Sequence, residues 1–190
     1  METLVLVKRS IGLKHYSIFG NTADVIGDPI TITLPTGIHS SNNAYNFDTD
    51  DNALYILSCT SETVPVNGQF TVTKVVLGST SATQTTLTNK HTAALVIKYG
   101  YVYREKVYVP TSRVSDTVNG KTVNSFEVVS HSIADNEMAT HGTINNSTQS
   151  SESPKPIFAA DGRLYWQGFY DSATQGVGGT RVTDCIAIPD

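Results

Sequence analysis

"VIKYGYVYREKVYVP", residues 96–110, gathers four of the chain's nine tyrosines into one short run. Along 95–109, Leu95, Ile97, Tyr99, Tyr101, Tyr103, Val107 and Val109 share one parity. Ala94, Lys98, Gly100, Arg104 and Lys106 share the other, and Val96, Val102 and Tyr108 are exceptions to it. Side chains alternate across a strand, so this pattern puts three tyrosines on an apolar face and the basic groups on a wet one. Either the run is one long strand or it folds back near Arg104-Glu105-Lys106, a turn sequence without Gly or Asn. Gly100 suggests a bulge. Tyr99, Tyr101 and Tyr103, interleaved with Leu, Ile and Val, are expected in a core. A subunit interface is the first alternative, because a tyrosine ring can be buried while its hydroxyl stays satisfied. A ligand platform is the second, and it would expose its rings among polar residues.

Working outward, the rest of the chain also has the period of strands. "TLVLVK" at 3–8 and "HYSIF" at 15–19 flank a break at Gly12. "PITITL" at 29–34 alternates Ile and Leu with threonine, and "ALYILS" at 53–58, "QFTVTKVVL" at 69–77 and "TVNSFEVVS" at 122–130 continue the pattern. Asn67-Gly68, Asn119-Gly120 and Asp161-Gly162 read as hairpin turn pairs, since their residues tolerate positive φ. Only "SIADNEMATHG" at 132–142 has a helical look, with Ser132 as N-cap and Gly142 as stop. The expected fold is all-β, an antiparallel sandwich or jelly roll with at most one short helix. "NNSTQSSESPKP" at 145–156 has no apolar residue and reads as a polar linker. It divides a β-sandwich body, 1–144, from a C-terminal hairpin segment, 157–190, that is too short to stand alone. Such a tail adds strands to its own sheet or reaches onto a neighbour.

Composition excludes several functions. The chain has 190 residues, 13 Lys and Arg against 17 Asp and Glu, and a formal net charge of −4. The cations are scattered, whereas binding a phosphate backbone needs them clustered, so nucleic acid is not an expected partner. Residues 1–8 hold an apolar stretch too short for a signal peptide, and no run approaches the ~20 apolar residues of a spanning helix. The expectation is a chain made in the cytosol that stays soluble, with no membrane partner. Cys59 and Cys185 form either a disulfide or, as cytosolic synthesis favours, two buried thiols. The two overlapping sequons in "NNST" at 145–148 read as accidental on the same ground.

No catalytic constellation emerges. The five histidines, His15, His39, His91, His131 and His141, show no His-x-x-x-His pair, whereas a zinc site needs three or four converging ligands. "FDTDDN" at 47–52 offers Asp48, Asp50 and Asp51 to a hard cation. It lacks the central Gly and closing Glu of a calcium loop, so a polar turn entering the strand at Ala53 is preferred. "GVGG" at 176–179 lacks the Lys of a phosphate loop, and no Gly-x-Ser-x-Gly elbow is present. No enzyme activity, metal or cofactor is expected. The better ligand candidate is "GRLYWQGFYD" at 162–171, which carries Tyr165, Trp166, Phe169 and Tyr170 with Arg163, Gln167 and Asp171 beside them. Rings and planar polar groups together suit carbohydrate. The spacing of Leu164 and Trp166 equally suits a hairpin closing a core or an interface.

Neutral strands rich in Thr, Ser and Asn, little charge, few cysteines, a polar linker and a glycine-rich tail together resemble a bacteriophage virion structural protein. The likeness is one of pattern across the chain, contains no family motif and assigns no residue a role. It implies a non-enzymatic component of a capsid or tail: an auxiliary or decoration protein, a head fibre or a tail part. Such a component is made in the host cytoplasm, resides in the virion, and has copies of itself and other virion proteins as partners. The alternative is a carbohydrate-binding module, perhaps of a receptor-binding fibre, with a glycan as ligand.

Overall fold

A computed structural model describes residues 3–8, 12–19, 22–25, 43–48, 50–76, 79, 82–112, 114–118, 121–147, 155–160, 162–170 and 180–188. Among these the protein is all-β. Every strand pairing is antiparallel, and the helical content is one 3-10 turn at Ile97–Tyr99. Each sheet is built from one contiguous stretch of chain. The first holds β1 (Thr3–Lys8), β2 (Gly12–Phe19) and β3 (Thr22–Val25), and the second β4 (Ala44–Asp48), β5 (Ala53–Ser58), β6 (Gln69–Val76) and β7 (Thr83–Thr88). The third holds β8 (Tyr101–Tyr103), β9 (Lys106–Pro110), β10 (Val114–Val118), β11 (Lys121–Ser132) and β12 (Met138–Ser147). The fourth holds β13 (Lys155–Ala160), β14 (Arg163–Tyr170) and β15 (Thr180–Ala187).

In the third sheet, β11 carries β12 along one edge. Its other edge carries β9, opposite 128–132, and then β10, opposite 121–125. This sheet is covered on both faces. Val102, Val107, Val109 and Val129 turn one way and share a buried core with Tyr55, Leu57, Phe70, Val72 and Leu87 of the second sheet. Tyr108 and Val128 turn the other way, against Leu164, Trp166, Ile186 and Ile188 of the C-terminal sheet. Burying each such side chain stabilises the fold by roughly 1.5–3 kcal/mol. The C-terminal segment thus packs on the body of its own chain. The boundaries expected at 144/145 and 156/157 fall inside β12 and β13, and 148–154 lie outside the described residues.

The run 96–110 folds back. Tyr103 pairs with Lys106, and Arg104 and Glu105 between them take φ of 47° and 56°. Positive φ at both central residues is the type I′ geometry, whose twist matches that of the flanking strands. This corrects the expected parity. A two-residue turn puts 101, 103, 106 and 108 on one face and 102, 107 and 109 on the other, so the exceptional Val102 and Tyr108 become regular. Each is essentially inaccessible, whereas Tyr99, Tyr101 and Tyr103 are half-buried. Gly100 has extended backbone and makes no bulge. A Cβ there would meet Leu57 Cδ1 at 2.5 Å, so glycine lets this backbone lie against β5.

Two further expectations are corrected. The helix expected at 132–142 is the end of β11, a turn and the start of β12. Ser132 N–H donates to Glu137 O at 2.9 Å, Asn136 N–H donates to Ser132 O at 2.9 Å, and Asn136 takes a φ of 59° that no α-helix contains. Ile133 and Met138 pack on the same core from the two sides of this turn. Asn67-Gly68 is the second half of a Pro65–Gly68 turn, with Gly68 N–H donating to Pro65 O at 2.8 Å and Asn67 at φ 60°. Only one central residue has positive φ, so the turn is type II in character and ends the loop into β6. "PITITL" and Asn119-Gly120 lie outside the described residues, as does Asp161, although Gly162 has the positive φ (67°) expected of it.

The second and third sheets meet edge to edge at β4 and β8, through side chains. Asn46 Nδ2 donates to the Val102 carbonyl at 2.7 Å, and Asn46 Oδ1 accepts the Val102 N–H at 2.8 Å. Two residues along each strand, Asp48 Oδ2 accepts the Arg104 N–H at 3.0 Å. Replacing Asn46 by Ala leaves both backbone groups of a buried residue without partners, so Asn46→Ala is expected to cost about 1–3 kcal/mol in urea unfolding. Glu62→Ala, at an exposed position, should stay within about 0.5 kcal/mol of the parent. Equal midpoints for the two variants would contradict the role given to Asn46.

Candidate functional site

The aromatic candidates do not form one surface. Tyr101 and Tyr103 lean on the Tyr108–Trp166 cluster, while Tyr99 sits in the 3-10 turn with Lys98 Nζ 5.1 Å from its ring centroid. Trp166 is fully buried, and by strand alternation the half-buried Tyr165 belongs to the other face of β14. Phe169 and Tyr170 lie in β14 opposite Arg181 and Thr180 of β15, and their side chains are outside the described set. The structure therefore brings Tyr101, Tyr103 and Trp166 together as packing between two sheets.

Within that packing, the Tyr108 hydroxyl and Trp166 Nε1 have no hydrogen-bond partner. Burial, with Tyr103 nearby, pushes the Tyr108 pKa up to about 12. Beside Tyr108 lies His141, ring centroids 5.3 Å apart, with its Nε2 2.7 Å from Ser130 Oγ. His141 falls where the β11–β12 register slips between Val128 and Val129, as the extra residue of a β-bulge, and Gly142 follows it at φ 144°. The bulge aims an imidazole into the seam between the sheets. Sequence reasoning missed it because the same residues read as a helix end.

The acidic knot separates into distinct jobs. Asp48 is buried and accepts the N–H of Asp50 through Oδ1 and that of Arg104 through Oδ2, both at 3.0 Å. Asp50 Oδ2 lies 3.8 Å from Arg104 Nε. Asp51 accepts the Tyr55 hydroxyl and, at 3.1 Å, Lys74 Nζ, whose other carboxylate partner is Glu105 at 3.0 Å. The Tyr55 hydrogen bond holds Asp51 below the usual carboxylate range against the opposing effect of burial, and Lys74 adds to the lowering. Burial and then Asp51 raise the Tyr55 phenol. Burial works against the Lys74 charge, yet its contacts with Tyr55, Glu105 and Asp51 outweigh that and raise its pKa. The carboxylates are thus spent on the β4–β5 turn and the type I′ hairpin turn, which they hold together. Among the described residues, no three His, Cys, Asp or Glu side chains are placed to hold a metal ion.

Cys59, His91 and His131 are held in local packing as well, while His39 and the His15 side chain lie outside the described residues. Cys59 and Cys185 are both thiols; burial raises the Cys59 pKa, and its Sγ donates to Ser61 O at 2.9 Å. His91 accepts the Ala93 N–H at Nδ1 (3.0 Å) and meets Glu127 through Nε2 at 3.1 Å. His131 is fully buried, edge-on to Phe70. Asn136 donates Nδ2 to Thr88 O, which leaves its Oδ1 facing His131 Nδ1 at 3.2 Å, so that nitrogen carries the proton. Among the described residues, no helix is long and apolar enough to cross a membrane.

Comparison with protein-family models, curated proteins and solved structures finds no match to this chain. The chemistry of the site therefore stands on its own geometry. Among the described residues, the Asp48, Asp51, Lys74 and Glu105 side chains are engaged in holding sheets together, and the exposed positions of β7 are Thr83, Gln84 and Thr86.

The buried histidine gives a pH test. Burial first, with Lys90 and His91 adding to it, holds the His131 imidazole below its usual value near 6.5 despite the Asn136 hydrogen bond. Above pH 6.5 the ring is neutral in folded and unfolded chains, and its full contribution is present. As pH falls toward the depressed folded value, the unfolded chain takes up a proton more readily and stability is lost. The urea midpoint should therefore fall from pH 7 to pH 5, and fall less in His131→Gln. An equally steep fall in the variant would assign the loss to other groups, such as His141, whose pKa burial also lowers.

Proposed function

We propose that the protein is a non-enzymatic structural component of a virus particle, a capsid auxiliary or decoration protein, a head fibre or a tail part, that works by assembling with copies of itself and with other virion proteins. One observation carries this reading: every cluster of reactive side chains described above is committed to joining sheets, while β7 presents an uncharged Thr/Gln edge to solvent. Neutral, hydrogen-bonding surfaces can be repeated many times over without bringing like charges together. Residence in the virion follows from the same reading. The buried Trp166 leaves the glycan alternative without the ring that best suited it.

The test is sedimentation of the purified protein over a wide concentration range, alone and mixed with other virion components. A closed symmetric oligomer or a stable co-complex is expected, with an interface above about 1,000 Å² in total. A monodisperse monomer with no affinity for any virion component would contradict the assignment.

A further inference from the structure

Exposed sheet edges are sites of strand addition unless something blocks them. Most edges here are blocked. Asn46 and Asp48 close β4 against β8. β13 contains Pro156 and a register slip beside it, β12 is bent by the bulge at His141, β10 and β15 carry charged residues, β1 ends in Lys8, and β3 is four residues long with Asp24. β7, "TQTTLT", has none of these devices before its last residue, Thr88. Its six residues pair with β6 in unbroken register from Thr83↔Lys74 to Thr88↔Gln69, with no Pro, charge or bulge.

The direction of its free groups follows from two hydrogen bonds at its end. Asn89 turns its N–H to Gly68 O and its carbonyl to Asn67 N–H, both at the start of β6. Thr88 turns its carbonyl to Asn136 Nδ2 at 3.2 Å. Successive residues of an antiparallel strand point their backbone groups to opposite sides, so Gln84 and Thr86 aim theirs away from β6. The Gln84 side chain is held inward, its Nε2 donating to Thr73 Oγ1 at 3.1 Å, and does not cover these groups.

We propose that β7 pairs antiparallel with β7 of a second copy of this chain across a twofold axis, joining the two four-stranded sheets into one. The proposal rests on the assembly reading and names its contact. The register that uses the outward groups of both residues pairs Gln84 with Thr86 of the other copy and centres on Thr85. Thr85 then faces itself, Thr83 faces Leu87, and Thr–Thr neighbours are favourable cross-strand pairs. An uncharged strand meets itself without repulsion. A twofold contact also closes, which makes a dimer rather than a fibre.

The experiment is sedimentation of the full chain with three variants. Thr86→Pro removes an N–H that the β6 ladder does not use, so it is compatible with this edge but not with pairing across it. It should raise the dimer dissociation constant at least tenfold with an unchanged circular dichroism spectrum. Gln84→Lys/Thr86→Lys sets lysine against lysine across the axis and should be monomeric, as should Gln84→Glu/Thr86→Glu. Mixing these two should restore a dimer containing one copy of each at low salt, and this holds even if the proline variant fails to fold. A parent oligomer whose size none of the variants alters overturns the β7 contact while leaving the assembly reading intact. A parent that stays monomeric overturns the self-pairing and leaves the edge to a strand from another protein.

Discussion

Asn46 presents to Val102 the donor and acceptor pair that a neighbouring strand would present. A primary amide has a peptide's N–H and C=O on one planar group, so it can close an edge strand's hydrogen bonds without a strand being there. Asp48 repeats the device two residues on, for the Arg104 N–H, because a strand returns to the same side every second residue. The rest of the core depends on this seam. It fixes how β8 sits on β4, which sets Val102 facing the second sheet and Tyr101 and Tyr103 facing the C-terminal sheet. It also anchors the type I′ turn, whose Arg104 and Glu105 adopt a left-handed backbone at a cost of roughly 1–2 kcal/mol each. The Asp48 bond, the Lys74–Glu105 ion pair and the Ile133 N–H donated to Glu105 O (3.0 Å) offset that cost.

The partly exposed ion pairs have the same purpose. Asp51, Tyr55, Lys74 and Glu105 form a chain of contacts running from the β4–β5 turn across β6 to the hairpin turn, with the Lys74 ammonium 5.5 Å from the Tyr55 ring centroid. Asn89 does similar work without charge. It is fully buried, donates Nδ2 to the carbonyls of Val64, Pro65 and Ala93, and accepts the His91 N–H, so one amide ties the loop before β6 to the segment after β7. Sheets that are each local in sequence are thus joined by side chains at their margins and by apolar packing between them. Among the described residues, β7 is the sheet edge left without such a guard, and the proposed function uses it.

The all-β class was legible because strand patterning is a local signal: β6 and β11 alternate β-branched and polar residues, and β5 is a short apolar run buried at every position. The fold-back at 104–105 was half legible. Val102 and Tyr108 broke the parity of a single long strand, and an even-numbered turn is what restores it. The turn itself gave no local sign, since Arg and Glu are poor type I′ residues and are held there by tertiary contacts. β7 went unread because "TQTTLT" has too few apolar residues to alternate, although its threonines favour strands. Residues 132–142 were misread because Ser132 and Gly142 stand where a helix cap and stop would, whereas Ser132 closes a turn and Gly142 takes the positive φ that follows a bulge. In the acidic knot, composition suggested a cation loop or a polar turn. The partners that settle its role, Arg104 and Lys74, lie 56 and 23 residues from the carboxylates they engage.

The most direct test of this account is residue-resolved amide hydrogen exchange on the dilute protein, comparing two sheet edges in one molecule. Val102 and Arg104 sit on an edge closed by side chains, and Gln84 and Thr86 on one that only a second copy would close. The account predicts slow exchange for the N–H groups of Val102 and Arg104, approaching that of Val109 and Val129 in the strand interior, and fast exchange for Gln84 and Thr86. Val102 and Arg104 exchanging as fast as Gln84 and Thr86 would mean that the seam is open in solution, and would contradict it.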